Sequence, residues 1–247
     1  MFSFLIRIDM SNSFFYFKQF TVYHDLCAMK VGTDGVLLGA WTDCGNAANI
    51  LDVGSGSGLI ALMLAQRSGA SIDAVDIDGN ACEQSAVNFG NSPFAARLKI
   101  HRVDFNAYFP AVRYDLIVSN PPYFARSLKS PDAGRCVARH AEKLSFEDLF
   151  GKSAALLTGK GRLSLILPAD TFDRIQSIAG ENNLFLRRKT TVRPHAASPP
   201  KRILLEYSKE KTQPEEDELL IEKAPRVYSD EYRALTSDYY PDRPFRC

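Results

Sequence analysis

Apolar residues fall in short, nearly continuous runs through the middle of the chain, and each run breaks at a polar or glycine-bearing turn before a segment with helical spacing begins. The strand-like runs are Asn49–Val53, Ser71–Ile77, Leu98–Val103, Tyr114–Ser119 and Arg162–Leu167. Between them, helical spacing covers Leu59–Ser68, Gly79–Phe89, Phe146–Leu157 and Ala169–Glu181, and Ser145 is placed to cap the third of these. A strand that is apolar throughout, instead of alternating, is one buried on both faces, as in a parallel sheet covered by helices. Alternation of strands and helices therefore predicts a doubly wound α/β domain. After residue 184 the pattern changes. Leu184–Val192 and Arg202–Tyr207 read as two strands joined by the proline-rich Pro194–Pro200, with no helix between, so they are expected to pair antiparallel at the sheet edge. The whole predicts a mostly parallel seven-stranded sheet with an antiparallel edge strand. Residues 1–13 are expected to be an extension without fixed structure, and 209–247 a charged linker and tail, with Glu210–Glu218 a solvated stretch.

Composition narrows the class of protein without naming it. The chain has 247 residues, 30 Lys and Arg against 29 Asp and Glu, and 45% hydrophobic residues, which suits one sizeable core and excludes a disordered or fibrous chain. A net charge of +1 excludes holding a polyanion by bulk attraction, so any nucleic-acid partner must meet a local patch. The five cysteines are scattered and form no C-x-x-C pair, which argues against a disulfide framework or zinc site and suits a reducing cytoplasm. No metal site, no membrane span and no signal peptide are expected: no apolar run approaches 18 residues, and Phe2–Ile8 is short and interrupted by Arg7.

The first chemical feature is Leu51-Asp52-Val53-Gly54-Ser55-Gly56-Ser57-Gly58, a strand running through glycines into a helix. Glycine lets backbone N–H groups approach a ligand without a Cβ in the way, and the helix N-terminus favours an anionic group. Two ligands fit. Gly56-x-Gly58-x-x-Ala61 with Asp76 twenty residues past Gly56 matches a dinucleotide fingerprint. The register Asp-x-Gly-x-Gly-x-Gly from Asp52 instead resembles the first motif of class I S-adenosylmethionine (SAM)-dependent methyltransferases. Asp76 would accept from ribose hydroxyls in both.

A second feature separates them. Asn120-Pro121-Pro122-Tyr123 follows directly on the strand Tyr114–Ser119, at the end of the sheet where ligands of such folds bind. Two prolines stiffen the loop and hold Asn120 in place. The Asn120 amide oxygen and the Pro121 carbonyl can both accept from one exocyclic amino group, and Tyr123 offers a face for a base to stack on. This tetrapeptide resembles the signature of amino-group methyltransferases acting on adenine N6 or glutamine N5. The resemblance implies a class I, Rossmann-like methyltransferase domain over 14–208 and SAM as cofactor, held by Asp52, Gly54, Gly56, Gly58, Asp76, Ile77, Asp104, Phe105 and Asn120.

A narrower resemblance starts at the N-terminus. Phe20 to Trp41, with His24, Lys30 and the turn Thr33-Asp34-Gly35, is similar to the N-terminal motif of the bacterial tRNA1(Val) adenine-37 N6-methyltransferases. It continues through Ala138-Arg139-His140 and Lys201–Tyr207, though Ala141 stands where that family usually has an acid. The resemblance implies that Lys30, Thr33, Asp34 and Gly35 line the cofactor and that the partner is a tRNA; a cytoplasmic monomer is expected. The segment from Glu181 to Glu206 has no acid between its ends and carries Arg187, Arg188, Lys189, Arg193, Lys201 and Arg202. Arg126, Lys129, Arg139 and His140 lie beside the catalytic loop. These are candidate phosphate contacts around an extruded base. Methylation of ribosomal RNA or of a protein glutamine remains open at this level. A DNA methyltransferase lacks a recognition region here, and a nicotinamide-dependent reductase leaves Asn120–Tyr123 unexplained.

Overall fold

A computed structural model describes residues 13–121 and 144–241. An antiparallel hairpin, β1 (Phe14–Tyr16) and β2 (Thr21–Tyr23), leads to α1 (Thr33–Trp41). Then β3 (Asn49–Val53), α2 (Leu59–Arg67), β4 (Ser71–Asp76), α3 (Gly79–Gly90), β5 (Leu98–Arg102) and β6 (Tyr114–Ser119) follow in alternation. The second half contains α4 (Phe146–Leu156), β7 (Leu157–Pro168), α5 (Phe172–Glu181), β8 (Phe185–His195), β9 (Arg202–Ser208), β10 (Glu215–Ala224), β11 (Val227–Tyr228) and α6 (Asp230–Thr236). Ser145 caps α4 as expected, its hydroxyl accepting from the Asp148 N–H at 3.0 Å.

The large sheet has the order β11-β10-β8-β9-β7-β6-β3-β4-β5, and β7, β6, β3, β4 and β5 are mutually parallel. Both of its faces are covered. Ile50, Leu116 and Val118 pack into one apolar cluster with α1 and α2, whereas their chain neighbours Leu51 and Ile117 pack into the opposite one with α4 and α5. This two-sided burial is why the strands read as unbroken apolar runs.

Two expectations give way. Of the expected antiparallel pair, β9 lies inside the sheet, laddered on β7 from Arg162–Ser208 to Pro168–Arg202 and on β8 along its other side, and the antiparallel strand at the edge is the short β11 beside β10. The tight turn at 196–200 returns the chain against β8, but β9 inserts next to β7, leaving β8 farther out. The sheet also has nine strands where seven were expected, because the region taken for a linker and tail contains β10, parallel to β8, and β11, antiparallel to β10. Opposite charges line the pairing of β8 with β10: Lys189 Nζ lies 2.6 Å from Glu216 Oε2, and Arg193 Nε lies 2.8 Å from Glu218 Oε1. Leu219 of the same strand enters the core. The tail is also built in. Tyr239 is fully buried and donates its hydroxyl to the Met63 carbonyl at 3.0 Å. Of the extension over 1–13, only Ser13 is among the described residues, and its carbonyl accepts from the His24 N–H.

The lone tryptophan ties α1 to the sheet. Its indole N–H donates to Thr190 Oγ1 at 2.7 Å in a buried setting, and the Arg188 guanidinium lies 4.3 Å from its ring centroid. Thr190→Val keeps the shape and leaves that buried donor unpaired, a cost of about 1–3 kcal/mol. At roughly 2–4 °C per kcal/mol for a chain of this size, a clear fall in melting temperature is expected. Thermal unfolding followed by Trp41 fluorescence reads it.

Candidate active site

The sheet ends level where chemistry was expected. Val53 is in register with Val75 on one side and Ser119 on the other, so the loops leaving β3, β4 and β6 start side by side. The Ser119 hydroxyl donates to the Val53 carbonyl at 2.8 Å and fixes the last step of β6 beside the glycine loop. Asn120, half-buried, and Pro121, buried, follow directly. Pro122 and Tyr123 lie outside the described residues, as do Arg126, Lys129, Arg139 and His140.

The three loop glycines do different work. Gly54, Gly56 and Gly58 have φ of 73°, 57° and 80°, a region costly for any residue with a Cβ. A Cβ on Gly58 would meet Phe89 at 2.5 Å, so this glycine lets α2 pack on α3. A Cβ on Gly54 or Gly56 would project into open space, so these two present bare backbone over the edge of the sheet.

Two carboxylates brace the loop. Asp52 is fully buried, and its Oδ2 accepts from the Ser55 hydroxyl at 3.0 Å and the Ala61 N–H at 3.3 Å. Its Oδ1 is buried without a hydrogen-bond partner among the described residues. Burial pushes this carboxyl up to about 7 against the bonds from Ser55 and Ala61, and the nearby Asp76 adds a little. Asp76, at the end of β4, accepts from the Gly56 N–H and the Asp78 N–H, each at 2.9 Å. Next to it Ile77 exposes more than half its surface, an apolar face at the rim. After β5, Asp104 caps a short turn by accepting from the Asn106 N–H at 2.8 Å, with Phe105 buried beneath.

The first turn of α1 completes the rim. A Cβ on Gly35 would meet Leu59 at 3.0 Å, so α1 begins against the first residue of α2, next to Gly58. Lys30 and Thr33 are exposed, while Asp34 is held by Arg202, whose Nε lies 2.8 Å from Asp34 Oδ2. Thr33, Asp34, Lys201 and Arg202 border a cleft of about 280 Å³ floored by Leu37 and Val192.

Much of the basic segment is engaged within the fold. Beyond the Lys189, Arg193 and Arg202 pairs, Arg187 faces Glu206 at 3.4 Å, and Arg188 covers Trp41. Lys201 is exposed. Residues that sequence reasoning missed lie on α3: Gln84, Ser85 and Asn88 are buried polar side chains bonded to the glycine loop or to the segment before α1. Their spacing on one helical face was the available signal.

The residues fit SAM: Gly54 and Gly56 leave bare backbone open, the orphaned Asp52 oxygen lies beneath it, and a carboxylate, Asp76, and an exposed apolar side chain, Ile77, stand beside the loop. Fold and loops together define a class I SAM-dependent methyltransferase. Residues 31–171 match the methyltransferase small domain model. Proteins named tRNA1(Val) (adenine(37)-N6)-methyltransferase from Parabacteroides distasonis and from Bacteroides fragilis strain YCH46 are each 48% identical over 234 residues, 94% of this chain and 99% of theirs. The chain belongs to the methyltransferase small domain family and, within it, to the tRNA1(Val) (adenine(37)-N6)-methyltransferase family. Among solved structures, an Agrobacterium tumefaciens protein described as a predicted O-methyltransferase shares the fold, with a TM-score of 0.65 at 19% identity, over 83% of this chain and 96% of that one. No described helix is long and apolar enough to cross a membrane.

Because the folded Asp52 holds its proton up to about 7 while an unfolded aspartate releases it near 3.8, the folded state binds more protons between those values. The Asp52 contribution to stability is therefore greatest in acid, falls as pH rises through that window and is flat above it. Asp52→Asn should remove this slope. Urea unfolding midpoints of both proteins from pH 4 to 8 measure the difference.

Proposed function

We propose that this enzyme transfers a methyl group from SAM to N6 of an adenine in tRNA, namely adenine 37 of valine tRNA. The observation that carries the reading is Asn120-Pro121 at the end of β6, level with the glycine loop through the Val53–Ser119 register. The relatives' names supply the particular nucleotide.

SAM supplies an electrophilic sulfonium methyl. Gly54 and Gly56 offer backbone to its amino-acid end, Asp76 accepts from the ribose, and Ile77, Asp104 and Phe105 surround the adenine. Asn120 Oδ1 and the Pro121 carbonyl accept both N–H bonds of the target amino group. That would draw its lone pair out of conjugation and aim it for in-line attack on the methyl. The N–C bond forms as the S–C bond breaks and S-adenosylhomocysteine leaves, with Tyr123 stacking on the extruded base. A strong base is not needed beforehand, because the extra proton becomes acidic only after transfer and leaves to water. With much of the β8 charge paired internally, Lys201 and the basic residues Arg126, Lys129, Arg139 and His140 beside the tetrapeptide are assigned to the tRNA backbone. We place the enzyme in the cytoplasm as a metal-free monomer.

Incubation with labelled SAM and, in parallel, bulk tRNA, ribosomal RNA, DNA and protein, followed by nucleoside analysis, tests the proposal. N6-methyladenosine in valine tRNA supports it; label confined to ribosomal RNA or protein glutamine overturns it. Asn120→Ala should lower turnover by about 10²–10³, as expected when a positioned polar contact to the reacting group is lost, and leave SAM affinity within roughly threefold. Turnover within tenfold of wild type would remove Asn120 from the mechanism.

A further inference from the structure

We propose that Asn88, on α3, is a positioning residue for the cofactor: its one side-chain amide sets the glycine loop and the segment before α1 at a fixed spacing, so that they act as one wall. Asn88 has no solvent exposure. Its Oδ1 accepts from the Tyr23 N–H at 3.0 Å, and its Nδ2 donates to the Tyr23 carbonyl at 2.8 Å and to the Ser57 carbonyl at 2.8 Å. Toward Tyr23 the amide behaves like a strand partner, meeting both backbone groups of one residue. Both donor hydrogens are thereby used, and because the amide is planar, Tyr23 and Ser57 cannot shift independently.

The neighbouring turn repeats the arrangement. Ser85 donates to the Gly56 carbonyl at 2.8 Å, and Gln84 Oε1 accepts from the Leu26 N–H at 3.0 Å. One helical face thus grips two consecutive loop carbonyls on one side and two points of the N-terminal segment on the other. That segment passes close to the ribose-binding position. The Cys27 thiol is pushed up to about 11, first by burial and then by the Asp76, Asp78 and Asp25 carboxylates near it. Past Cys27 the chain reaches Lys30 and Thr33 at the rim. Asn88 itself is fully buried beneath the loop, so its effect is on where the wall stands and not on the reacting atoms.

The proposal rests on SAM as the cofactor, which binding of S-adenosylhomocysteine to the wild-type protein checks separately. Asn88→Ala removes all three bonds; Asn88→Asp keeps the acceptor for Tyr23 and loses both donors. Calorimetric titration with S-adenosylhomocysteine should show affinity weakened 10- to 100-fold in both variants. Turnover at saturating SAM should stay within threefold, so that the loss appears in KM and not in kcat. Hydrogen exchange should speed up at the Tyr23 and Leu26 amides in the absence of cofactor. A folded Asn88→Ala protein with S-adenosylhomocysteine affinity within twofold of wild type overturns the proposal, and so does a loss of kcat with affinity unchanged. Where Asn88→Ala fails to fold, Gln84→Ala decides on the same readouts: a three- to tenfold loss of affinity with kcat retained supports the wall, and unchanged affinity rejects it.

Discussion

The site depends on β3 being paired in parallel on both sides while both of its faces are buried. A parallel ladder has evenly spaced bonds, so its register alone decides which residues emerge together at the strand ends. Here Val53 emerges level with Val75 and Ser119, and the glycine loop, Asp76 and Asn120 leave the sheet as neighbours. A slip of one residue would exchange the two faces of the strand, moving Leu51 out of one apolar cluster and Asp52 out of its contact with the loop. The register that packs the core is thus the one that assembles the chemistry.

The parallel half of the fold could be read from the amino acids because each strand is bounded by residues with their own reason to stop it. Asn49–Val53 and Tyr114–Ser119 have the bounds the apolar runs imply, closed by Gly54 and by Asn120-Pro121. The glycine loop was equally open to reading, since positive φ leaves a mark in the composition. What could not be read was of another kind. Nothing in Glu215–Glu218 marks a strand until it is known that Lys189 and Arg193 run alongside, because these four residues are all acidic and exposed. The insertion of β9 inside the sheet depends on the choice between two edges, which local pattern does not encode. Asn88 and Gln84 went unassigned because their partners are backbone groups 31 to 65 residues away.

The near-zero net charge has a different internal division from the one the sequence suggests. The basic segment seemed reserved for a polyanion, with the acids gathered around the cofactor loops. In the folded chain a large share of that basic charge faces Glu206, Glu216, Glu218 and Asp34, and Arg188 covers an indole ring. What that segment leaves exposed toward a polyanion is accordingly narrower, with Lys201 among it.

That division makes β10 a shield as well as a strand. A chain ending before Glu215 would leave the outer side of β8 as an open edge, its N–H and C=O groups unpaired. Along that edge Lys189 and Arg193 would have lost their acidic partners. Such a protein would carry a sticky, cationic border. It would be prone both to self-association and to indiscriminate adhesion to nucleic acid.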